Sequence, residues 1–119
     1  MADALHVVQE YMQAIGRGDT ASARKCMHSD FWFKGPIDTF RAPEPYLEAL
    51  AKLHKIVKRV EMKKVFVDGP DVCALYDLVT NTPAGTAFVA EWYRVKEDRI
   101  ASIQVVFDAR PFAAMFGEK

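Results

Sequence analysis

The chain has 119 residues, half of them hydrophobic, with sixteen basic and sixteen acidic residues that cancel to zero formal charge. That length suits one domain over 1–119 burying roughly two-thirds of its unfolded surface, and the neutral balance offers no strong field for phosphate backbones or acidic membranes. No apolar run nears the roughly twenty residues of a membrane span and no basic-then-apolar leader opens the chain, so a soluble, cytoplasmic protein without a nucleic-acid or membrane partner is expected.

In chain order, Leu5, Val8, Met12 and Ile15 recur at helical spacing, which predicts a first amphipathic helix. Gly16 and Gly18 stop it, and Asp19 is placed to cap a short second helix over Thr20 to Met27. Phe31, Trp32 and Phe33 form a β-prone run ended by Gly35 and Pro36, with an irregular stretch from there to Pro45. Tyr46, Leu50, Leu53 and Val57, flanked by Leu47 and His54, predict a third helix whose start is marked by Pro43 and Pro45. Four β-rich runs follow, over 58–67, 72–80, 86–96 and 100–108. The short turns at Asp68-Gly69-Pro70, Pro83-Ala84-Gly85 and Glu97-Asp98 make them an antiparallel meander. The fold class is therefore α+β.

Two acids stand where the alternation calls for core residues. Side chains alternate across a strand, so Asp77 shares a face with Cys73, Leu75 and Val79, and Glu91 shares one with Val89 and Tyr93. An unpaired buried carboxylate costs several kcal/mol or takes up a proton. Acids so placed commonly line pockets, and Glu91 or Asp77 is expected to titrate above about pH 6 from burial. Phe88 and Trp92 lie opposite Glu91 and Tyr93 along the same run. An apolar patch of Phe88, Trp92, Tyr76 and Val106 on an uncovered sheet face predicts a homodimer through that face.

The order helix, helix, strand, helix, meander, with Val8-Gln9-Glu10-Tyr11, Gly18-Asp19 and the closing Val106-Phe107-Asp108, resembles the NTF2-like superfamily, and its SnoaL-like branch most. That resemblance implies an NTF2-like cone: three N-terminal helices packed on a curved, mainly antiparallel sheet around a pocket. Members include ketosteroid isomerases, epoxide hydrolases, polyketide cyclases, dehydratases and proteins that only bind or dimerise, so the fold does not fix the function.

The stretch Val7 to Pro36 is similar to ketosteroid isomerase without gaps. It sets Tyr11 on that enzyme's oxyanion-hole tyrosine and Glu91 near its partner acid, a protonated aspartic acid that is itself a general example of such tuning. The isomerase's general base falls on Gly35, which cannot take a proton. The stretch Asp77 to Gly85 and the ending Val106 to Arg110 resemble limonene-epoxide hydrolase. There Asp77 matches one catalytic aspartate, while its arginine becomes Leu75 and its second aspartate Val105. Asp108 matches an acid widespread in the superfamily, and its strand parity favours a structural role.

The resulting catalytic candidates are Tyr11, Asp77 and Glu91, a donor pair and a base suited to proton abstraction beside a carbonyl, as in isomerisation, cyclisation or dehydration. Trp32, Phe33, His54, Phe66, Tyr93, Val105, Phe107 and Phe112 are the candidate lining for a small hydrophobic ligand. Phe112, Met115 and Phe116 are placed to close the pocket mouth or swap onto a partner. His6 is expected to be exposed and His28 to meet the carbonyls ending the second helix. No histidine pair has metal-ligand spacing and no Gly-rich phosphate loop occurs, so neither metal nor cofactor is expected. Cys26 and Cys73 read as reduced core thiols. An alternative stays open at this point: a non-catalytic module that binds a ligand or dimerises.

Overall fold

The computed structural model describes residues 3–112. Its elements are α1 (Ala4–Gly16), α2 (Thr20–Lys25), β1 (Met27–Lys34), β2 (Thr39–Phe40), α3 (Pro43–His54), β3 (Val57–Asp68), β4 (Asp71–Thr80), β5 (Thr86–Lys96) and β6 (Arg99–Val106). The six strands form one sheet in the order β2-β1-β6-β5-β4-β3. Every pairing is antiparallel except the parallel β1 with β6. The long-range return that sets β1 beside the last strand is carried by α3 and the whole meander between them.

Local chemistry sets the helix ends. The Asp3 side chain accepts from the His6 amide at 2.9 Å to start α1, and Asp19 accepts from the amide and hydroxyl of Ser22 at 3.0 and 2.7 Å to start α2. Gly18 adopts φ +72° just past α1, the left-handed turn that glycine makes without a Cβ penalty. Pro43 opens α3 at its first turn, where the missing N–H costs nothing.

Several boundaries differ from those read in the sequence. The second helix stops at Lys25, and Met27 and His28 belong to β1. His28 therefore does not meet helix carbonyls. Its Nδ1 accepts from the Asp30 amide at 3.0 Å, which leaves Nε2 to donate to Glu97 at 2.7 Å across the sheet end. The stretch expected to be irregular contains β2, and Val57 begins a strand instead of ending α3.

The helices cover one face of the sheet. Val7, Val8, Tyr11 and Ala14 of α1 and Tyr46 and Leu47 of α3 pack with Phe31, Val72, Ala74, Tyr93, Ile100 and Ile103. Phe31 is fully buried, and its truncation to alanine would cost about 3–5 kcal/mol. Cys26 is a free, half-buried thiol at the margin of this core, and Cys73, also free and half-buried, lies on the outer face between Phe66 and Trp92 instead of in the core.

Candidate functional site

A cavity of about 160 Å³ opens between the covered face of the sheet, α3 and the β1–β2 turn. Most of its wall is apolar: Phe33 and Phe40 from β1 and β2, Ala49, Leu50 and Leu53 from α3, Leu78, Ala87, Val89 and Val105 from the sheet, and Phe107 and Phe112 beyond β6. Rings pack along it, with Phe33 and Tyr46 centroids 4.8 Å apart and Phe107 edge-on to Phe112 at 5.8 Å. The polar exceptions are Tyr46, Tyr76, Glu91 and Asp38.

Glu91 is 8% exposed. In the ladder it lies between Ala74 on β4 and Val105 on β6, and all three face the helices. Its Oε1 accepts from the Tyr76 hydroxyl at 2.7 Å, and the Tyr93 phenol lies near the same carboxyl. The Tyr11 and Tyr46 hydroxyls share a hydrogen bond of 2.6 Å. All four tyrosines of the chain thus gather around one carboxyl.

Burial raises the Glu91 pKa from its ordinary value, and the Tyr76 hydrogen bond and the nearby Tyr93 phenol partly oppose it. Burial also pushes the four phenols well above their usual range, and a charge on Glu91 pushes each of them further. Burial therefore works against negative charge on every member of the cluster. A neutral carboxyl with one oxygen occupied by Tyr76 keeps an O–H to donate. If Tyr11 donates to Tyr46, the Tyr46 proton is likewise free for the cavity. Such an end can hold an oxygen that gains charge during a reaction.

Of the residues singled out in the sequence, Phe33, Glu91, Val105, Phe107 and Phe112 line the cavity together. Tyr11 and Tyr93 are buried one layer behind it, Tyr11 against the Tyr46 hydroxyl and Tyr93 edge-on to Tyr11 at 6.0 Å. His54 does not reach it: the ring is exposed, 3.4 Å from the Gly16 carbonyl and packed on Gly18, joining α3 to the α1–α2 turn. Trp32, Phe66 and Asp77 are on the opposite face of the sheet. Trp32 and Phe66 are 41% and 53% exposed, and Asp77 stands opposite Phe88 in the β4–β5 ladder with its carboxylate 3.4 Å from the Lys63 ammonium. Asp77 and Glu91 therefore cannot face one ligand, because β4 and β5 pair odd positions with even ones. The same register moves Tyr76 off the outer patch and into the cavity beside Val89. Asp108 is exposed and caps the turn after β6, where the Arg110 guanidinium and amide hold its carboxyl down at about 2. Met115 and Phe116 lie outside the described residues.

Sequence reasoning missed Tyr46, Tyr76 and Asp38. Tyr46 was legible only as a helix-stripe residue, and Tyr76 was assigned to the outer apolar patch, which the β4–β5 register overturns. Asp38 belongs to the turn between β1 and β2, where its carbonyl accepts from the Gly35 amide at 2.9 Å. Among the described residues, no group of three or more His, Cys, Asp or Glu side chains lies close enough to hold a metal ion, and no helix is long and apolar enough to cross a membrane.

A mostly antiparallel sheet with helices on one face and a cavity between them defines an NTF2-like protein. Residues 8–103 match the SnoaL-like domain model, and the chain belongs to the SnoaL-like family. Among solved structures, it is similar to an NTF2-like protein of unknown function from Cytophaga hutchinsonii at 27% identity, over 94% of this chain and 96% of that one, with a TM-score of 0.81. It is also similar to an LEH-like epoxide hydrolase of M. tuberculosis at 18% identity over 91% and 84% of the two chains, with a TM-score of 0.74. A candidate polyketide cyclase from Sinorhizobium meliloti matches at 17% identity over 84% and 93%, with a TM-score of 0.76. At those two identities the likeness is one of fold. Comparison with curated proteins gives no match.

Proposed function

We propose that this chain is a cofactor-free enzyme that moves a proton beside the carbonyl of a small apolar compound bound in the cavity. The observation that carries the reading is Glu91, a carboxyl buried on the wall of a mostly apolar cavity, where burial raises its pKa. The base in this reading is Asp38, the one other carboxyl among the described wall residues, exposed on the β1–β2 turn.

The ligand oxygen rests against the Glu91 and Tyr46 hydroxyls, and the Asp38 carboxylate takes a proton from the carbon next to the carbonyl. The C–H electron pair moves into the new C=C bond, and the carbonyl pair moves onto the oxygen, which the two donors stabilise. Asp38 then returns the proton to the same carbon or to a conjugated one, giving exchange or isomerisation.

Deuterium uptake by 2-cyclohexen-1-one in D2O, followed by proton NMR, tests this. The wild type should exceed buffer, and Asp38→Asn should lose about 10²–10⁴-fold of the enzymatic rate. Ligand binding with exchange at the buffer rate in the wild type would instead establish a module that only binds. The blanks at Gly35, Leu75 and Val105 favour that second reading, since each removes a charged group that a relative uses.

A second copy of the chain is the partner we propose for the outer sheet face, where Phe88, Trp92 and Val106 are 59%, 43% and 70% exposed. The rim of that face carries both signs, with Lys63 beside Asp77 at one edge and Arg94 on Asp71 at another. A face with paired opposite charges can complement itself across a two-fold axis.

A further inference from the structure

We infer that the cavity selects uncharged carbonyl compounds built on a single ring. This rests on the proposed proton-transfer reading and narrows it to a substrate class. Size is the first argument. An enclosed apolar space near 150 Å³ accommodates benzene, and the space here is about 160 Å³. Filled to interior density, it holds on the order of seven to nine non-hydrogen atoms. Phe33 bounds one side against Phe40 and Tyr46 and Phe107 with Phe112 bounds the other, so a fused second ring would have to extend through the mouth instead of being buried.

Charge is the second argument. The described wall residues include no lysine, arginine or histidine. A carboxylate or phosphate entering it would lose its water without meeting a cation, at a cost of several kcal/mol. An ammonium would need Glu91 ionised, which burial disfavours. What fits is a neutral ring whose one oxygen reaches the Glu91 end while its carbons fill the apolar remainder.

The test compares four probes by calorimetry and ligand-observed NMR on the full chain: 2-cyclohexen-1-one, a fused two-ring enone, cyclohexanecarboxylate and cyclohexylamine. The single-ring enone should bind at least about tenfold more tightly than each of the others. Phe107→Ala, which enlarges the cavity, should close the gap for the two-ring enone. Ala49→Phe, which fills the cavity from α3, should abolish binding of the single ring, so the size argument does not depend on one variant folding. Equal or tighter binding of the two-ring enone by the wild type overturns the size limit, and preferred binding of the carboxylate or the amine overturns the charge limit. Either result leaves the proton-transfer reading standing if the bound enone exchanges deuterium. Failure of both enones to bind, with an intact fold, sinks that reading itself.

Discussion

Replacing Glu91 by glutamine isolates the consequence of burying a carboxyl among phenols. In the unfolded chain Glu91 ionises near the ordinary glutamate value of about 4.3, whereas in the folded chain burial raises that value. Between the two, the folded chain holds a proton that the unfolded chain has released. Raising the pH through this window therefore destabilises the fold by about 1.4 kcal/mol per pH unit, and above the folded value the loss grows no further. Glutamine is nearly isosteric and accepts the Tyr76 hydroxyl through its own oxygen, but it cannot ionise. Its second N–H lacks the place of the carboxyl O–H, a pH-independent difference of about 1 kcal/mol. Every other titrating group is common to the two proteins, so the difference between their stability curves reports Glu91 alone. Urea unfolding of both from about pH 4 to about pH 8 should show Glu91→Gln gaining on the wild type steadily through the lower part of that range and then running parallel. A difference that stays flat across the whole range would mean that Glu91 ionises as an ordinary carboxylate, and the electrostatic basis of the site would be gone.

Tyr76→Phe removes the donor on Glu91 Oε1 and should cost about 1–2 kcal/mol. Because that bond is the first of the effects holding the Glu91 value down, carboxyl-carbon NMR should find the titration midpoint moved upward, and an unchanged midpoint would contradict the geometry. Glu97 and Asp98 both sit in left-handed backbone at φ 54° and 62°. Asp98→Gly should stabilise the fold by about 1 kcal/mol in chemical denaturation, while Glu97→Gly forfeits the bond to His28 and should gain less. Phe88→Glu should convert a dimer into a monomer in analytical ultracentrifugation without disturbing the near-ultraviolet signal of the buried tyrosines. A wild type that sediments as a monomer at all concentrations would remove the proposed interface.

Much of the fold was written in local pattern. The α1 stripe, the Asp19 cap and the four strands of the meander follow from spacing and turn residues, which act over a few neighbours. What spacing could not supply was the register between strands. Along β4 the alternation of Asp77 with Tyr76 is plain, but which of the two faces the helices depends on how the turn over 81–85 brings Val79 opposite Thr86. That pairing sets odd positions of β4 beside even positions of β5. Phe88, on the open face, therefore brings Asp77 with it, and Glu91 brings Tyr76 inward. A slip of one residue would exchange both pairs. Two acids that look alike in the sequence are thus an outer-face ion-pair partner and a buried carboxyl that accepts from Tyr76, and only long-range pairing separates them. Tyr46 and Asp38 were hidden for a related reason, since both reach the cavity through the parallel docking of β1 on β6, a contact between the two ends of the chain.

Gly35 makes the same point from the opposite direction. It lines the cavity at the position where the isomerase resemblance sets a general base, and the sequence leaves open whether the base was simply lost. A Cβ built on Gly35 would stand 3.1 Å from the Phe33 ring, close enough that the ring would have to give by a few tenths of an ångström. The ring that would have to move is also the one stacked on Phe40 and Tyr46. A side chain at 35 and this aromatic wall therefore compete for one volume. Restoring an acid there would push Phe33 towards Tyr46, whose hydroxyl is tied to Tyr11, and so would disturb the oxygen-binding end while supplying a base. Asp38, three residues on and exposed at the turn, meets no such conflict. An acceptor supplied from the rim, as proposed for Asp38, leaves Phe33 and the Tyr46–Tyr11 hydrogen bond where they are.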